Sequence, residues 1–168
     1  QMTDQDGGIT IYNYDGLNRL VGLTDPQGKT TTYFYDSLSN LTQVKYPNNT
    51  QTDYAFDKLN RLVKLINKTK PAKDQWPPQP KSKEEIISSY TYGYDPSGMR
   101  TQVTLANDDH ILYSYDALNQ LTQEERYNQD NELLYSFAYT YDSAGNRFTQ
   151  EIDFQDKHFG IRGFPQEA

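Results

Sequence analysis

The sequence has no cysteine, so neither a disulfide framework nor a thiolate metal site can hold its fold. Zero cysteines fit the cytosol and also many bacterial secreted proteins. Two histidines leave little material for an imidazole metal set, and there is one tryptophan. Basic residues are the minority, 16 Lys and Arg against 23 Asp and Glu. The net charge of −7 would repel a phosphate backbone, which argues against a nucleic-acid partner. No apolar run approaches the ~20 residues of a membrane helix. Gln1 onward lacks the basic-then-apolar pattern of a signal peptide, and the chain reads as internal sequence of a longer protein. Apolar residues make up 35% and mean hydropathy is −0.94, values near those of disordered chains.

Aromatic residues oppose that last reading. Fifteen Tyr and seven Phe among 168 residues favour strands and supply large burial energies, which predicts a folded β protein with a polar surface. They are also periodic. Tyr12 to Leu20 (YNYDGLNRL) recurs as Tyr33 to Leu41, Tyr54 to Leu62, Tyr92 to Arg100, Tyr113 to Leu121 and Tyr139 to Arg147. The aspartates Asp15, Asp36, Asp57, Asp95, Asp116 and Asp142 are 21, 21, 38, 21 and 26 residues apart. The long intervals are 21 plus an insertion, so one period organises the chain.

A second turn signal keeps the phase: Asp25-Pro26-Gln27-Gly28, Asp4-Gln5-Asp6-Gly7, and at the same place Tyr46-Pro47-Asn48-Asn49 and Asn107-Asp108-Asp109. Each period therefore predicts one β-hairpin. Alternation puts Tyr12 with Tyr14, Tyr33 with Tyr35, Tyr54 with Phe56, Tyr92 with Tyr94, Tyr113 with Tyr115 and Tyr139 with Tyr141 on one strand face. Return strands start at Leu20, Leu41, Leu62 and Leu121, with further apolar positions at Leu23, Val44, Leu65 and Val103. A lone hairpin is marginal in water, so neighbours are expected to pair edge to edge and bury the tyrosine face together. The open ends of such an array are expected to fray or to self-associate.

Residues 67–83 hold four prolines, five lysines and Trp76, and they predict an inserted loop, because proline cannot donate to a ladder. The resulting expectation is all-β: residues 1–154 as an array of antiparallel hairpins in one twisted, curved sheet of about 12 to 14 strands, and residues 155–168 as a tail leaving the repeat.

The chemistry expected is sparse. An Asp at the same phase of every hairpin is explained by turn geometry, its side chain accepting backbone N–H bonds, rather than by acid–base catalysis. Asp108-Asp109-His110 reads as a loop, with His158 far off in sequence. No nucleophile, zinc, phosphate-loop or dinucleotide motif occurs, so no catalytic residue, metal or cofactor is expected. Tyrosines flanked by Asp, Asn and Gln also describe a sugar- or protein-binding surface.

The period of 21, the Y-x-Y-D-x-x-x-N/R-x-L element and the intervening D-P-x-G turn resemble the YD repeat of the rearrangement-hotspot (Rhs) family over residues 4–150. That family includes bacterial polymorphic toxins, the C components of Tc toxin complexes, wall-associated proteins and teneurins. The resemblance implies a strip of hairpins belonging to a spiral shell, non-enzymatic in itself. It also implies a bacterial secreted or surface location, with the rest of a longer Rhs chain or an enclosed toxin domain as partner. Tyr94 to Arg100 (YDPSGMR) approaches part of the family's autoprotease segment but sits in repeat phase, and is read as an ordinary repeat.

Overall fold

A computed structural model of the chain describes residues 1–69 and 84–154. Trp76, most of the proline-rich insertion and the expected tail from 155 lie outside the described residues. Thirteen antiparallel strands follow one another in sheet order as they do in sequence. They are β1 (Met2–Thr3), β2 (Ile9–Tyr14), β3 (Leu20–Thr24), β4 (Thr30–Tyr35), β5 (Leu41–Lys45), β6 (Thr50–Phe56), β7 (Leu62–Thr69), β8 (Ile86–Tyr94), β9 (Arg100–Leu105), β10 (His110–Tyr115), β11 (Leu121–Tyr127), β12 (Leu133–Tyr141) and β13 (Arg147–Phe154). The chain divides into two compact units, Gln1–Tyr92 and Gly93 onward.

One turn design serves all eleven described hairpins. The first turn residue donates its N–H to the carbonyl of the fifth at 2.8–3.0 Å, as from Asp15 to Arg19, Asp36 to Asn40 and Asp116 to Gln120. The fourth residue is left-handed in every case: Asn18, Ser39, Asn49, Asn60, Asp108, Asn119, Asn131, Gly7, Gly28, Gly98 and Gly145. This is the three-residue hairpin with a bulge, and it explains the Asn and Gly three residues after each turn-opening position. The bulge shifts the register just before the YD tyrosine, so that Tyr14, Tyr35, Phe56 and Tyr115 face Leu20, Leu41, Leu62 and Leu121.

In the first unit the two faces differ. One carries the cross-strand rows Tyr12–Leu23–Thr31, Tyr33–Val44–Thr52–Asn67–Ser88 and Tyr54–Leu65–Tyr90. The other holds a polar cluster: Lys68 Nζ lies 2.9 Å from Asp53 and 2.8 Å from Glu84, while Gln43 and Gln51 donate to the second oxygen of Asp53.

Two expectations need correction. The tyrosine face is not a buried core: the buried apolar side chains among the described residues are Val44 and Val103, at 3% and 5% exposure. A single sheet layer has nothing above it to exclude water from large rings. The insertion also begins later than residue 67, because β7 continues to Thr69, with Asn67 facing Ser88 and Lys68 facing Ile86.

Among the described residues Ser39 is the one left-handed residue that is not Gly, Asn or Asp. Ser39→Asn should raise stability by about 0.5–1 kcal/mol, read as a higher urea midpoint at constant m, because Asn visits this region at lower cost.

Candidate functional site: the tyrosine face and its turns

The six YD aspartates open the turns on one edge of the sheet. Each Oδ1 accepts the N–H four residues on, at 2.8–2.9 Å, and in most turns the N–H two residues on as well. The second oxygen takes the side chain of residue +4: Arg19 at 2.7 Å from Asp15, Arg61 at 2.8 Å from Asp57, and Asn40 and Asn146 at 3.0 Å from Asp36 and Asp142. Such bonds hold the carboxyls of Asp15, Asp36, Asp57, Asp95 and Asp142 below their ordinary value. The principal cause is the backbone N–H of Arg19 at Asp15 and of Arg61 at Asp57, and the side chain of Asn40, Ser97 and Asn146 at Asp36, Asp95 and Asp142.

The same +4 side chains reach into the next hairpin. Arg19 Nη1 donates to the Asp36 carbonyl and to Ser39 Oγ, and its guanidinium lies 4.8 Å over the Tyr35 ring. Asn40 donates to Asn60. The YD tyrosine answers from the other side. Tyr35, Tyr115 and Tyr141 donate their hydroxyls to the carbonyls of Leu20, Arg100 and Leu121, each five residues past the preceding YD aspartate, at 2.7–2.9 Å. This explains why the position is Tyr. Tyr14 is 57% exposed. Phe56 lacks the hydroxyl. The outer tyrosines Tyr12, Tyr33, Tyr54, Tyr92, Tyr113 and Tyr139 are half-buried, as is Tyr94. Arg100 and Arg147 cover Tyr113 and Tyr139 at 4.9 and 5.3 Å.

The second unit breaks its own pattern. Glu124 stands three residues into its return strand, where Leu23, Val44, Leu65 and Val103 stand in theirs. It accepts the Tyr135 hydroxyl at 3.0 Å, and burial followed by this carboxylate pushes the phenol up to about 12. Two residues on, Arg126 Nη2 pairs at 2.8 Å with the buried Asp109. Its Nε is buried with no acceptor among the described residues. Along β12 the rings of Tyr135, Phe137 and Tyr139 follow at centroid distances of 4.9 and 6.4 Å. Asp109 is thus tied to Arg126, while His110 stacks on Tyr127 at 5.3 Å. No group of three or more His, Cys, Asp or Glu among the described residues could hold a metal ion, and no helix among them is long and apolar enough to cross a membrane.

The RHS repeat family profile matches residues 1–30, 14–51, 35–70 and 94–131, more than half of the chain, leaving out the stretch that holds the insertion. The chain belongs to the Rhs repeat family. Its hairpin strip is similar to part of the TcdB2-TccC3 crystal structure, with TM-score 0.58 and 17% identity over 87% of this chain. It is likewise similar to the Photorhabdus luminescens Tc holotoxin pore carrying a TccC3 mutation, with TM-score 0.57 and 16% identity over 87%. Identities this low establish the shared fold. The Rhs strip spans 9% of each of those chains. No curated protein sequence matches it.

Two outcomes are expected. Tyr35→Phe should cost about 1 kcal/mol and Phe56→Tyr should return a similar amount, as midpoint shifts in urea, because a hydroxyl at residue 56 would meet the Leu41 carbonyl. On acidification, stability should hold above the ordinary Asp value of 3.8 and fall as the pH drops below it. The depressed folded-state pKa values favour the ionised carboxylates, and protonation removes their acceptor capacity. Circular dichroism across that range checks it.

Proposed function

We propose that this chain is a wall segment of an Rhs shell, non-enzymatic in itself, that helps to enclose a toxin or other cargo domain outside the bacterial cell. The observation that carries the reading is the repeated hairpin stapled to its neighbour by Tyr hydroxyl and +4 side chain, a design that extends with every added repeat. The Tc toxin chains with this fold support the assembly context. Expressed with the flanks its own gene encodes, the protein should shield a non-repeat domain from protease. Asp36→Ala together with Asp57→Ala, which breaks two turns, should shorten that protection. A cargo digested as fast within the intact protein as alone would refute enclosure.

A second reading, a sugar-recognition surface, draws on the aromatic ridge of Tyr135, Phe137 and Tyr139 beside Glu124. Rings can stack on sugars while a carboxylate takes hydroxyls. Calorimetry with oligosaccharides should then show binding that Tyr139→Ala removes, and no heat with any of them would end this reading.

A further inference from the structure

Asp-Gly occurs twice in the sequence, at Asp6-Gly7 and Asp15-Gly16. With no Cβ on the second residue, its amide nitrogen can reach the aspartate Cγ, and the chain then closes on itself as a five-membered imide. Sequence alone ranks the two pairs equally. Both glycines also have open space around them, since a Cβ on Gly7 or Gly16 would meet nothing within 4 Å. The other five YD aspartates are followed by Ser37, Lys58, Pro96, Ala117 and Ser143. Side chains hinder the same closure there, and the nitrogen of Pro96 carries no hydrogen to lose.

The two carboxyls are held differently. Asp15 opens a YD turn: its Oδ1 accepts the Leu17 and Arg19 N–H groups, each at 2.9 Å, and its Oδ2 takes Arg19 Nε at 2.7 Å. Ring closure needs Cγ swung onto the Gly16 nitrogen, and it needs a protonated carboxyl, because the departing oxygen leaves as water. The three bonds oppose both requirements. They fix the rotation about Cα–Cβ, and they favour the carboxylate, the Arg19 N–H foremost. Asp6 is the third residue of turn 4–8, where the holding is done by Asp4: its Oδ1 takes the N–H groups of Asp6 and Gly8 at 3.0 and 2.6 Å. Among the described residues no donor reaches the Asp6 carboxylate, and both Asp6 and Gly7 are exposed. The Gly7 N–H donates to the Asp4 carbonyl over 3.2 Å, a long bond for these turns, and the strand it follows, β1, pairs with β2 through Met2 and Thr3.

We infer that Asp6 is a site of spontaneous backbone isomerisation, and that the YD turn shields Asp15 from the same reaction. The Gly7 nitrogen attacks Asp6 Cγ. The new C–N bond forms as the C–OH bond of the protonated carboxyl breaks, and the amide proton leaves with that hydroxyl as water. A second water then opens the imide. Breaking the bond from nitrogen to the former main-chain carbonyl leaves the chain running through the β-carbon and frees the α-carboxylate; breaking the new bond restores Asp. In the isoaspartyl product the backbone is one carbon longer between residues 6 and 7. Asp4 then loses its joint hold on Asp6, Gly7 and Gly8, and β1 loses its register on Ile9 and Thr10. The inference does not rest on the wall reading. It gives the YD aspartate a second task, since the bonds that make the turn also protect the backbone beside it.

Storage of the chain in mildly acidic buffer, folded and in parallel in concentrated urea, tests it. Peptide mapping separates the Asp and isoaspartyl forms, and a protease that cuts before Asp leaves the isoaspartyl bond intact. In urea the two pairs are expected to isomerise at similar rates. In the folded chain Asp6 should react within a few-fold of its rate in urea, while Asp15 slows by about a hundredfold, because three bonds must break first. Arg19→Met removes the bond at Oδ2 and leaves both backbone bonds of the turn, so it should speed Asp15 by about fivefold with the urea midpoint confirming a folded chain. Equal rates at Asp6 and Asp15 in the folded wild type overturn the inference. So does a folded chain in which Asp6 stays intact while it isomerises in urea, and so does a pair that stays intact even in urea. An Arg19→Met chain in which Asp15 is as slow as in the wild type overturns the shielding.

Discussion

A carboxylate that accepts backbone N–H groups two and four residues ahead, followed by a left-handed residue at the fourth position, is the constraint on which this protein depends. A sheet one layer thick buries very little, and Val44 and Val103 cannot specify a register by themselves. Register is therefore set where the chain reverses. Each turn fixes a bulge, the bulge fixes which residues face each other, and the Asp carboxylate fixes the turn. Asn128 does the same work from the opening position of its turn, and where Tyr46 or Leu105 opens the turn it falls to an Asn two residues on: Asn48 accepts from Thr50 and Asn107 from Asp109. The device is conserved in geometry while its residue moves.

Hairpins made this way are locally determined, and something else must join them into a strip. Ladder bonds do part of it. The rest comes from side chains that leave one turn and end in the next: Arg19 on Asp36 and Ser39, Asn40 on Asn60, and the YD tyrosines on carbonyls of the hairpin before. These bonds lie toward the YD edge, so that edge is ordered by side chains as well as backbone.

The period of 21, the turn positions, the strand count and the family were legible because each is a local pattern of residue types repeated in phase. What was not legible depends on distance through space. Tyr35 finds its acceptor at Leu20 and Tyr141 at Leu121, and no periodicity names a carbonyl as partner. The preference for Tyr over Phe was the available signal, and Phe56 its exception. The half-burial of the tyrosines was hidden for another reason: alternation reveals that a face is apolar but not whether a second layer covers it. The true end of β7 at Thr69 was masked by composition, since Asn67 and Lys68 read as loop until their partners Ser88 and Ile86 are known.

The departures from the repeat carry the remaining information. Glu124 at an apolar position would leave a carboxylate in a poor place, yet the β11–β12 hairpin supplies Tyr135 directly beside it and the preceding turn supplies Asp109 for Arg126. Tyr135 lies on the neighbouring strand and Asp109 closes the turn before β10, so the polar pairs act between hairpins as the tyrosine hydroxyls do elsewhere. A charged pair that must find one partner penalises a slipped register more than leucine does, because a one-residue shift would leave Glu124 and Arg126 unpaired on a half-buried face. The same groups that fix its register stand beside the rings of Tyr135, Phe137 and Tyr139, so that the departure from the repeat and the aromatic row are one feature.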